Sequence, residues 1–375
     1  MISNQTALSK KLAFFKQQGY IVLEDAVTLD IIECAHAVFT ELMAQKVRRF
    51  GIKPIDTYDA RMEENKNVKI DFQPEGGNHD LNRWNMHLPS DPIFFNDALL
   101  ANPQVLEILE PFFGSEMVVF IAASDTPYPK SGFQNSHQDF SRFGVTVNIP
   151  LVDFTEDNAP LEIWPGTHLL LNQENPSIFD RGEVNHSKEA LEQILATVSS
   201  KRMLVKKGSI IIRDQRLVHR GTANNSDRPR PCLSIWYKNP HNYGLKNLTI
   251  ATPSREVADR AAKSALHLRE KGRGKAGSIA NKKLLNWANL YGRVVEELSC
   301  SDRDYRRSIP LSLWHKLSPK LQSLLRFAHI DDGSGKSYQV EGVKRTLFGT
   351  IQFQLIITIF NLVGKIIPLF DKKVK

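Results

Sequence analysis

The chain has 375 residues, a formal net charge of +8 at pH 7, and hydrophobic and charged fractions of 41% and 24%. These fractions are ordinary for a soluble globular protein, and the length allows a catalytic domain with an appendage. Three scattered cysteines, Cys34, Cys232 and Cys300, form no CxxC pair. They argue against a disulfide framework or a zinc knuckle and favour a reducing, cytoplasmic location.

The first fifty residues are predicted to form a helix, a strand and a second helix. The first helix ends before Gly19, the strand covers residues 19–23, and the second helix covers about residues 28–49. Apolar residues recur at helical spacing in that second helix, at Ile31, Ile32, Ala35, Val38, Phe39 and Leu42. The polar amino terminus does not have the pattern of a secretory signal.

Residues 51–90 are polar and rich in Asn and Asp, which predicts a long loop able to cover a pocket. Four of its side chains are candidate substrate contacts, with solvated loop residues as the alternative: His79, Arg83, Trp84 and His87. We take Trp84 as the substrate-binding candidate of this loop.

Residues 117–237 are predicted to form strands that alternate with turns, interrupted by a polar insert at residues 172–200. Thr146 and Asn148 alternate with apolar residues in one of these strands, so their side chains share one strand face. If that face points inward, Thr146 and Asn148 line a co-substrate pocket. A solvated outer face is the alternative.

Two histidines and one aspartate in this region form the ligand set predicted for a metal. The spacing of His137 and Asp139 places both side chains on one side of an extended strand. His219 follows the apolar run 208–213, which predicts a buried strand entering a turn. Two imidazoles and one carboxylate leave three positions of an octahedral ion open, as non-haem Fe(II) needs for a chelating co-substrate and O₂.

Arg230 lies eleven residues after His219, just ahead of the apolar-alternating stretch 233–237. A guanidinium at this place can grip a carboxylate with two parallel hydrogen bonds. Arg228 competes for the same role, with a solvated loop charge as the alternative. The sequence therefore pairs a metal ligand set with an anchor for a dicarboxylic acid.

Four stretches together resemble the phytanoyl-CoA dioxygenase family of Fe(II)/2-oxoglutarate-dependent oxygenases, which includes the ectoine hydroxylases. They are His137-Gln-Asp139, Asn158-Ala-Pro-Leu-Glu-Ile-Trp-Pro-Gly-Thr-His168, Lys207-Gly-Ser, and His219-Arg-Gly-Thr-Ala-Asn-Asn-Ser-Asp-Arg-Pro-Arg230. The resemblance covers roughly residues 10–240. It implies a mainly β core with flanking helices, in the form of a double-stranded β-helix, the jelly-roll or cupin-like fold.

The resemblance also implies roles for individual residues. His137, Asp139 and His219 would bind iron, and Arg230 would bind the distal carboxylate of 2-oxoglutarate. Related halogenating enzymes replace the ligand carboxylate with a small residue, so the presence of Asp139 favours hydroxylation or another oxidation. Phe143 stands where ectoine hydroxylases carry a pocket aromatic, with an ordinary core aromatic as the alternative.

Trp164 is a further substrate-binding candidate. The alternative for Trp164, and for His168 in the same loop, is a structural role. The predicted function is hydroxylation or another oxidation of an unactivated C–H bond in a small-molecule or lipid-like substrate, with release of succinate and CO₂. Two other hypotheses for the function remain. One is a catalytically inactive metal-binding scaffold attached to a membrane, and the other is a cupin-like zinc or manganese enzyme.

The chain changes character after about residue 246. Residues 246–375 contain 24 Lys and Arg against 11 Asp and Glu, a net of +13, whereas the remainder has a net of −5. We therefore predict three parts: a dioxygenase domain at 1–245, a basic and mainly helical extension at 246–345, and an amphipathic helix at 346–375. The basic clusters at 269–275 and 303–307 could meet phosphates, with solvated helices as the alternative.

The terminal helix is mostly apolar over residues 347–370, with a polar stripe at Gln354, Thr358, Asn361 and Lys365. Gln352, Gln354, Asn361 and Lys365 interrupt it too often for a membrane-spanning helix. Basic residues flank it, as expected for a helix on an anionic membrane surface: Lys344, Arg345, Lys372, Lys373 and Lys375. Docking on the protein itself or a second subunit is the alternative. No nucleic-acid motif accompanies these residues, so nucleic acid is not predicted as a partner.

Overall fold

A computed structural model gives the fold. It describes residues 2–50, 78–80, 82–134, 136–139, 143–170, 193, 195–239, 264, 267–268, 283–284, 287, 309–326, 328–331, 337–339 and 347–370. Residues 51–77 of the loop predicted at 51–90, most of the predicted polar insert and both basic clusters lie outside these residues.

The helices are α1 Ile2–Gln18, α2 Leu29–Phe50, α3 Asp97–Leu100, α4 Pro103–Phe113, α5 Thr167–Leu170, α6 Leu311–Trp314, α7 Pro319–Leu324 and α8 Leu347–Phe370. The strands are β1 Tyr20–Leu23, β2 Asn78–Asp80, β3 Arg83–His87, β4 Val118–Pro127, β5 Val145–Pro150, β6 Leu161–Ile163, β7 Lys201–Arg202, β8 Ile210–Asp214, β9 His219–Gly221, β10 Cys232–Lys238, β11 Ile309–Pro310, β12 His329–Asp331 and β13 Ser337–Gln339. The order α1, β1, α2 confirms the pattern predicted for the first fifty residues.

Seven strands form one antiparallel sheet in the order β1-β8-β5-β10-β4-β3-β2, and β7-β6-β9 form a smaller antiparallel sheet. The core is therefore rich in antiparallel sheet and flanked by helices. The prediction of a continuous loop over residues 51–90 is wrong where β2 and β3 form. Strand β3 pairs with β4 in the register Arg83↔Pro127 to His87↔Ala123, so its backbone hydrogen bonds add it to the large sheet despite its polar sequence.

The large sheet is covered on both faces, and all six residues of β5 are buried. One face packs against the amino-terminal helices and α4 through apolar residues such as Ile212, Leu233 and Ile235. The other face contributes Tyr20, Ile211 and Cys232 to a second apolar cluster, shared with Ile163 and Met203 beside the small sheet. The space between the two sheets is therefore lined partly by apolar and partly by polar side chains.

A glycine sets the start of β8. Gly208 has a φ of +87°, and a Cβ there would lie 2.9 Å from the carbonyl oxygen of Val27. That carbonyl belongs to the turn after β1, where the amide of Val27 donates to Gly208 O at 2.9 Å. Only glycine accommodates both the positive φ and the close approach, so this contact fixes where β8 enters the sheet.

Residues 309–330 pack against the same apolar core as the sheet. Ile309, Leu313, Leu321 and Ile330 belong to that core cluster, and Arg326 Nη1 donates to Met117 O at 2.9 Å. The described part of the predicted basic extension thus includes short strands, β11 to β13, as well as helices. No helix among the described residues is both long enough and apolar enough to cross a membrane.

Candidate metal centre

The main chain brings His137 and His219 together. They form an isolated antiparallel bridge in which each amide donates to the other residue's carbonyl oxygen at 2.9 Å, and their ring centroids are 4.4 Å apart. The amide of Asp139 donates to Gln215 O, also at 2.9 Å. The segment around His137 is thus a bridge followed by a bend, in place of the extended strand that the spacing predicts.

The three predicted metal ligands converge nonetheless. Asp139 Oδ1 lies 3.4 Å from His219 Nε2 and 3.7 Å from His137 Nε2, and the candidate ligand atoms of the three residues all lie within 4.8 Å of one another. Ligand atoms about 2.1 Å from one ion and at right angles to each other are about 3.0 Å apart. A small inward shift of these side chains therefore suffices to hold one metal ion.

His219 is presented in the tautomer that a metal needs. Its Nδ1 lies 2.9 Å from Leu217 O, and because a carbonyl only accepts, Nδ1 carries the proton and Nε2 keeps its lone pair. Burial and the nearby charge of Arg213 lower the pKa of His219 to about 4. The ring is therefore neutral at physiological pH.

Asp139 is held by groups on the large sheet. Its Oδ2 pairs with Arg213 Nη2 at 2.7 Å and accepts from Thr146 Oγ1 at 3.5 Å, and Thr146 in turn accepts from Gln215 Nε2 at 3.2 Å. Burial alone would raise the pKa of Asp139, but the charge of Arg213 and the contact with His219 hold it well below its usual value. The carboxylate is therefore ionised without a metal.

Arg213 is not among the site residues predicted from the sequence. The signal was present in the sequence, because a charged residue ends the apolar run Ile210–Ile212 inside a predicted buried strand. Such a residue is either paired or functional. Arg213 lies directly opposite Thr146 in the β8–β5 register, which places both side chains on one face of the large sheet.

A second cluster lies on the same face of that sheet, around Asp125 of β4. Arg230 Nη2 contacts Asp125 Oδ2 at 3.1 Å, and Arg83 Nη1 contacts the same oxygen at 2.9 Å. Arg83 Nη2 also donates to Thr222 O at 2.9 Å. Both arginines are buried, with 3% and 1% of their side chains exposed, and they hold one carboxylate between them.

Arg230 has one buried N–H group that makes no hydrogen bond with the described residues. Its Nε is buried and has no hydrogen-bond partner among the described residues, and its guanidinium lies 4.4 Å from the Phe154 ring centroid. A buried donor without an acceptor costs free energy that an incoming carboxylate would recover. The competing residue Arg228 is 88% exposed, so the structure places Arg230, and not Arg228, in the buried cluster.

Thr146 and Asn148 point into the protein and not to solvent. Both are buried, and Asn148 Oδ1 accepts from Arg213 Nε at 3.4 Å. Across the sheet, Asn148 lies opposite Ser234 of β10, and Cys232 of the same strand lies opposite Asp125. This row of polar side chains connects the metal ligands with the arginine cluster.

The three aromatic residues predicted to contact substrate lie in three different parts of the fold. Trp84 is 1% exposed in the apolar core, on the face of β3 opposite Arg83. Phe143 stacks on Phe113 with centroids 5.0 Å apart, beside α4. Trp164 is buried with its amide bonded to Val218 O at 2.9 Å.

His168 is buried, and its Nε2 lies 3.0 Å from Lys16 O, which matches the structural role given as the alternative. The side chains of His79 and His87, predicted as substrate contacts, lie outside the described residues.

Among solved structures, the chain is similar to the α-ketoglutarate-dependent carbocyclase SnoK from nogalamycin biosynthesis at 14% identity, with a TM-score of 0.43 over 61% of this chain and 82% of that one. It is similar to EctD from S. alaskensis with 2-oxoglutarate and 5-hydroxyectoine at 18% identity, with a TM-score of 0.43 over 62% and 76% of the two chains. AviO1 from Streptomyces viridochromogenes Tue57 matches at 20% identity, with a TM-score of 0.43 over 62% and 96%.

The family assignment rests on the sequence itself. The model of the phytanoyl-CoA dioxygenase (PhyH) family matches residues 15–232, more than half of the chain. That span contains the histidine–aspartate–histidine cluster and the buried arginine cluster around Asp125 described above. The chain belongs to the phytanoyl-CoA dioxygenase family and is a 2-oxoglutarate-dependent oxygenase.

Proposed function

We propose that this protein is an Fe(II)- and 2-oxoglutarate-dependent dioxygenase that hydroxylates an unactivated C–H bond of a small-molecule or lipid-like substrate. His137, Asp139 and His219 would hold the iron, and Arg230 would bind the distal carboxylate of 2-oxoglutarate. The observation that carries the proposal is the presence of two unlike clusters on one sheet face, one offering lone pairs and the other buried N–H donors. The two sheets would then be the halves of a double-stranded β-helix.

The overall reaction balances with one molecule each of substrate, O₂ and 2-oxoglutarate, giving hydroxylated substrate, succinate and CO₂. Bound iron supplies the activation of O₂, coupled to oxidative decarboxylation of the 2-oxo acid. The chain's own residues bind and orient. Arg230 fixes one end of the co-substrate, and Thr146 and Asn148 line its pocket from β5.

Exclusion of water is the second task of the protein. The space between the sheets is bounded by apolar side chains such as Ile211 and Ile163, which keep the site poor in solvent. A low local dielectric strengthens the attraction between Arg230 and a carboxylate. The same apolar boundary suits a substrate with an unactivated hydrocarbon part.

The test is an anaerobic titration of Fe(II)-loaded protein with 2-oxoglutarate, followed by visible absorption of the chelated ferrous complex. We expect a band for the wild type and none for His219→Ala, because that variant lacks a ligand. His315→Ala is the matched control, since His315 is exposed on the carboxyl-terminal side of α6. The control should give the wild-type band.

Two outcomes would contradict the proposal. No band in fully iron-loaded wild-type protein would favour a cupin-like zinc or manganese enzyme, which would retain its activity without O₂. A band without succinate formation across a broad substrate panel would favour the inactive scaffold.

We also propose that α8 attaches the enzyme to an anionic membrane surface. Five large aliphatic side chains of α8 are exposed by 36% to 62% and recur every three or four residues: Ile351, Leu355, Ile359, Leu362 and Ile366. The opposite side of the helix packs on the protein, where Trp287 Nε1 donates to Phe360 O at 2.9 Å and Leu268 lies against Gly364. An apolar stripe on an otherwise anchored helix is the surface that a lipid interface covers.

Charge favours lipid over a second protein as the occupant of this stripe. Residues 347–370 contain no acidic residue and one exposed Lys365, and five further Lys and Arg lie within five residues of its ends. Each basic residue near an anionic bilayer contributes about 1 kcal/mol of attraction.

Sedimentation with phosphatidylcholine vesicles, with and without phosphatidylserine, tests this attachment. We expect binding to the anionic vesicles that weakens with salt. The double variant Leu355→Ser/Ile359→Ser should bind at least about tenfold more weakly, since each buried aliphatic side chain contributes about 1.5–3 kcal/mol. Gln354→Ser/Thr358→Ser on the polar side is the control. Equal binding of both double variants, or concentration-dependent dimerisation without lipid binding, would overturn the attachment.

A further inference from the structure

Arg213 is a buried cation in direct contact with the metal centre, and the proposed reaction gives it no role. Its side chain is 6% exposed, and three of its nitrogens meet the site. Nη2 lies 2.7 Å from Asp139 Oδ2, Nε donates to Asn148 Oδ1 at 3.4 Å, and Nη1 lies 3.4 Å from His219 Nδ1. A positive charge beside a cation site weakens metal binding by itself, so its presence requires a reason.

The contacts make the two oxygens of Asp139 unlike. Oδ1 faces Nε2 of both imidazoles, at 3.4 and 3.7 Å. Oδ2 is turned away from them and is occupied by Arg213 Nη2 and Thr146 Oγ1. A charge-assisted hydrogen bond at this distance is among the stronger polar contacts in proteins, and burial strengthens it further.

We propose that Arg213 is a positioning residue that restricts Asp139 to one metal-binding oxygen. This inference rests on the proposed function. A carboxylate can bind a metal through one oxygen or through both. With two imidazoles and one oxygen, an octahedral ion keeps three open positions, enough for a chelating 2-oxo acid and O₂. With both oxygens bound, Oδ2 takes one of these three positions, and a 2-oxo acid that leaves a position for O₂ must displace it.

The proposal predicts opposite effects on two affinities. Arg213→Met releases Oδ2 and removes a positive charge from beside the ion, so metal binding should be unchanged or tighter. Binding of 2-oxoglutarate, which then competes with Oδ2 for a position on the ion, should weaken at least about tenfold, the lower end of the effects on affinity or activity known for groups that orient metal ligands. An arginine with a merely structural role would lower both affinities together.

The experiment measures Fe(II) affinity by anaerobic calorimetry and 2-oxoglutarate affinity by the visible band, in wild type, Arg213→Met and Arg213→Lys. Arg213→Lys keeps a charged donor for Oδ2 and should recover part of the 2-oxoglutarate affinity. Arg216→Met is the matched control, because Arg216 pairs with Asp214 at 2.6 Å and makes no described contact with Asp139. We expect both of its affinities to equal those of the wild type.

Loss of metal binding in folded Arg213→Met, or unchanged 2-oxoglutarate affinity in it, would overturn the role of Arg213. Thermal unfolding identifies a variant that does not fold. In that case Arg213→Lys decides, since an equal fall in both affinities would contradict the positioning role, and a fall confined to 2-oxoglutarate would support it. A wild type without any band would instead refute the proposed function, so the two failures are distinguishable.

Discussion

Two carboxylate–arginine clusters share one face of the large sheet, and they are built for opposite charges. In the first, Asp139 pairs with Arg213 and turns its other oxygen toward two imidazoles. In the second, Asp125 lies between Arg83 and Arg230, so that the formal charge is one unit positive. The first, around Asp139, leaves lone pairs facing the site and is called the cation side below. The second, around Asp125, leaves a buried N–H of Arg230 and is called the anion side.

The difference shows that an arginine–carboxylate contact does not by itself identify the ligand. The ligand is identified by the donor and acceptor atoms that the arginine–carboxylate contact does not use. Around Asp139 the remaining atoms can only accept a hydrogen bond or bind a metal, and around Arg230 the remaining Nε can only donate.

Asp139→Asn should abolish the cation side. It removes the ligand charge and leaves Arg213 as an unpaired buried cation, which costs about 3–5 kcal/mol of stability in the metal-free protein. We expect Fe(II) affinity to fall by at least about a hundredfold, since a ligand contributes no less than the groups that orient it. Calorimetry and thermal unfolding measure both effects. Asp227→Asn, at a side chain 91% exposed, should change neither.

Arg230→Gln should weaken the anion side alone. Loss of charged hydrogen bonds worth about 1.5–3 kcal/mol lowers 2-oxoglutarate affinity by about ten- to a hundredfold. Fe(II) affinity should stay at the wild-type value, because Arg230 has no described contact with the metal ligands. Arg228→Gln is the control on the same loop. A parallel fall in Fe(II) affinity would show that the two clusters are one unit.

Gly221→Ala should disturb the anion side without changing any charged residue. A Cβ at Gly221 would lie 2.5 Å from Arg83 Cζ, so the guanidinium must move from Thr222 O and Asp125. Overpacking of this kind costs about 1–3 kcal/mol. We expect a lower melting temperature and a few-fold weaker 2-oxoglutarate binding. Unchanged values for both would mean that Arg83 does not support Arg230.

The thiol of Cys232 reports whether the anion side stays closed. Burial raises the pKa of Cys232 to about 12, whereas Cys34 is exposed. Because the thiolate is the reactive form, iodoacetamide at pH 8 should modify Cys34 and leave Cys232 unmodified. Peptide mass spectrometry checks this, with denatured protein as the positive control. Faster modification of Cys232 in Gly221→Ala would locate the disturbance between the sheets.

The sequence allowed the metal ligands to be predicted because residue type, spacing and order all point to one ligand set, and the structure places those residues together. The burial of Arg230 followed from its place ahead of an alternating strand. Arg213 and Asp125 were missed because their contacts join strands far apart in the chain, and no local pattern records which strands become neighbours.

The aromatic residues show which positions sequence patterns do not predict. Trp84 lies in a segment whose polar, Asn- and Asp-rich sequence predicts a loop, and its strand character comes from the pairing of β3 with β4 and β2. Once β3 is in the sheet, alternation buries Trp84 and turns Arg83 toward Asp125. Phe143 packs beside α4, a contact between segments that sequence spacing does not describe.

Because His137 and His219 form a bridge, a metal ion bound to both would link two segments that are far apart in the chain. An ion bound to both histidines closes the intervening segment into a ring, and binding only to the folded form stabilises that form by mass action. The entropy of closing a ring rises only with the logarithm of its length. Relatives of this protein can therefore lengthen or shorten the polar insert inside the ring at little cost, provided that the two histidines still meet.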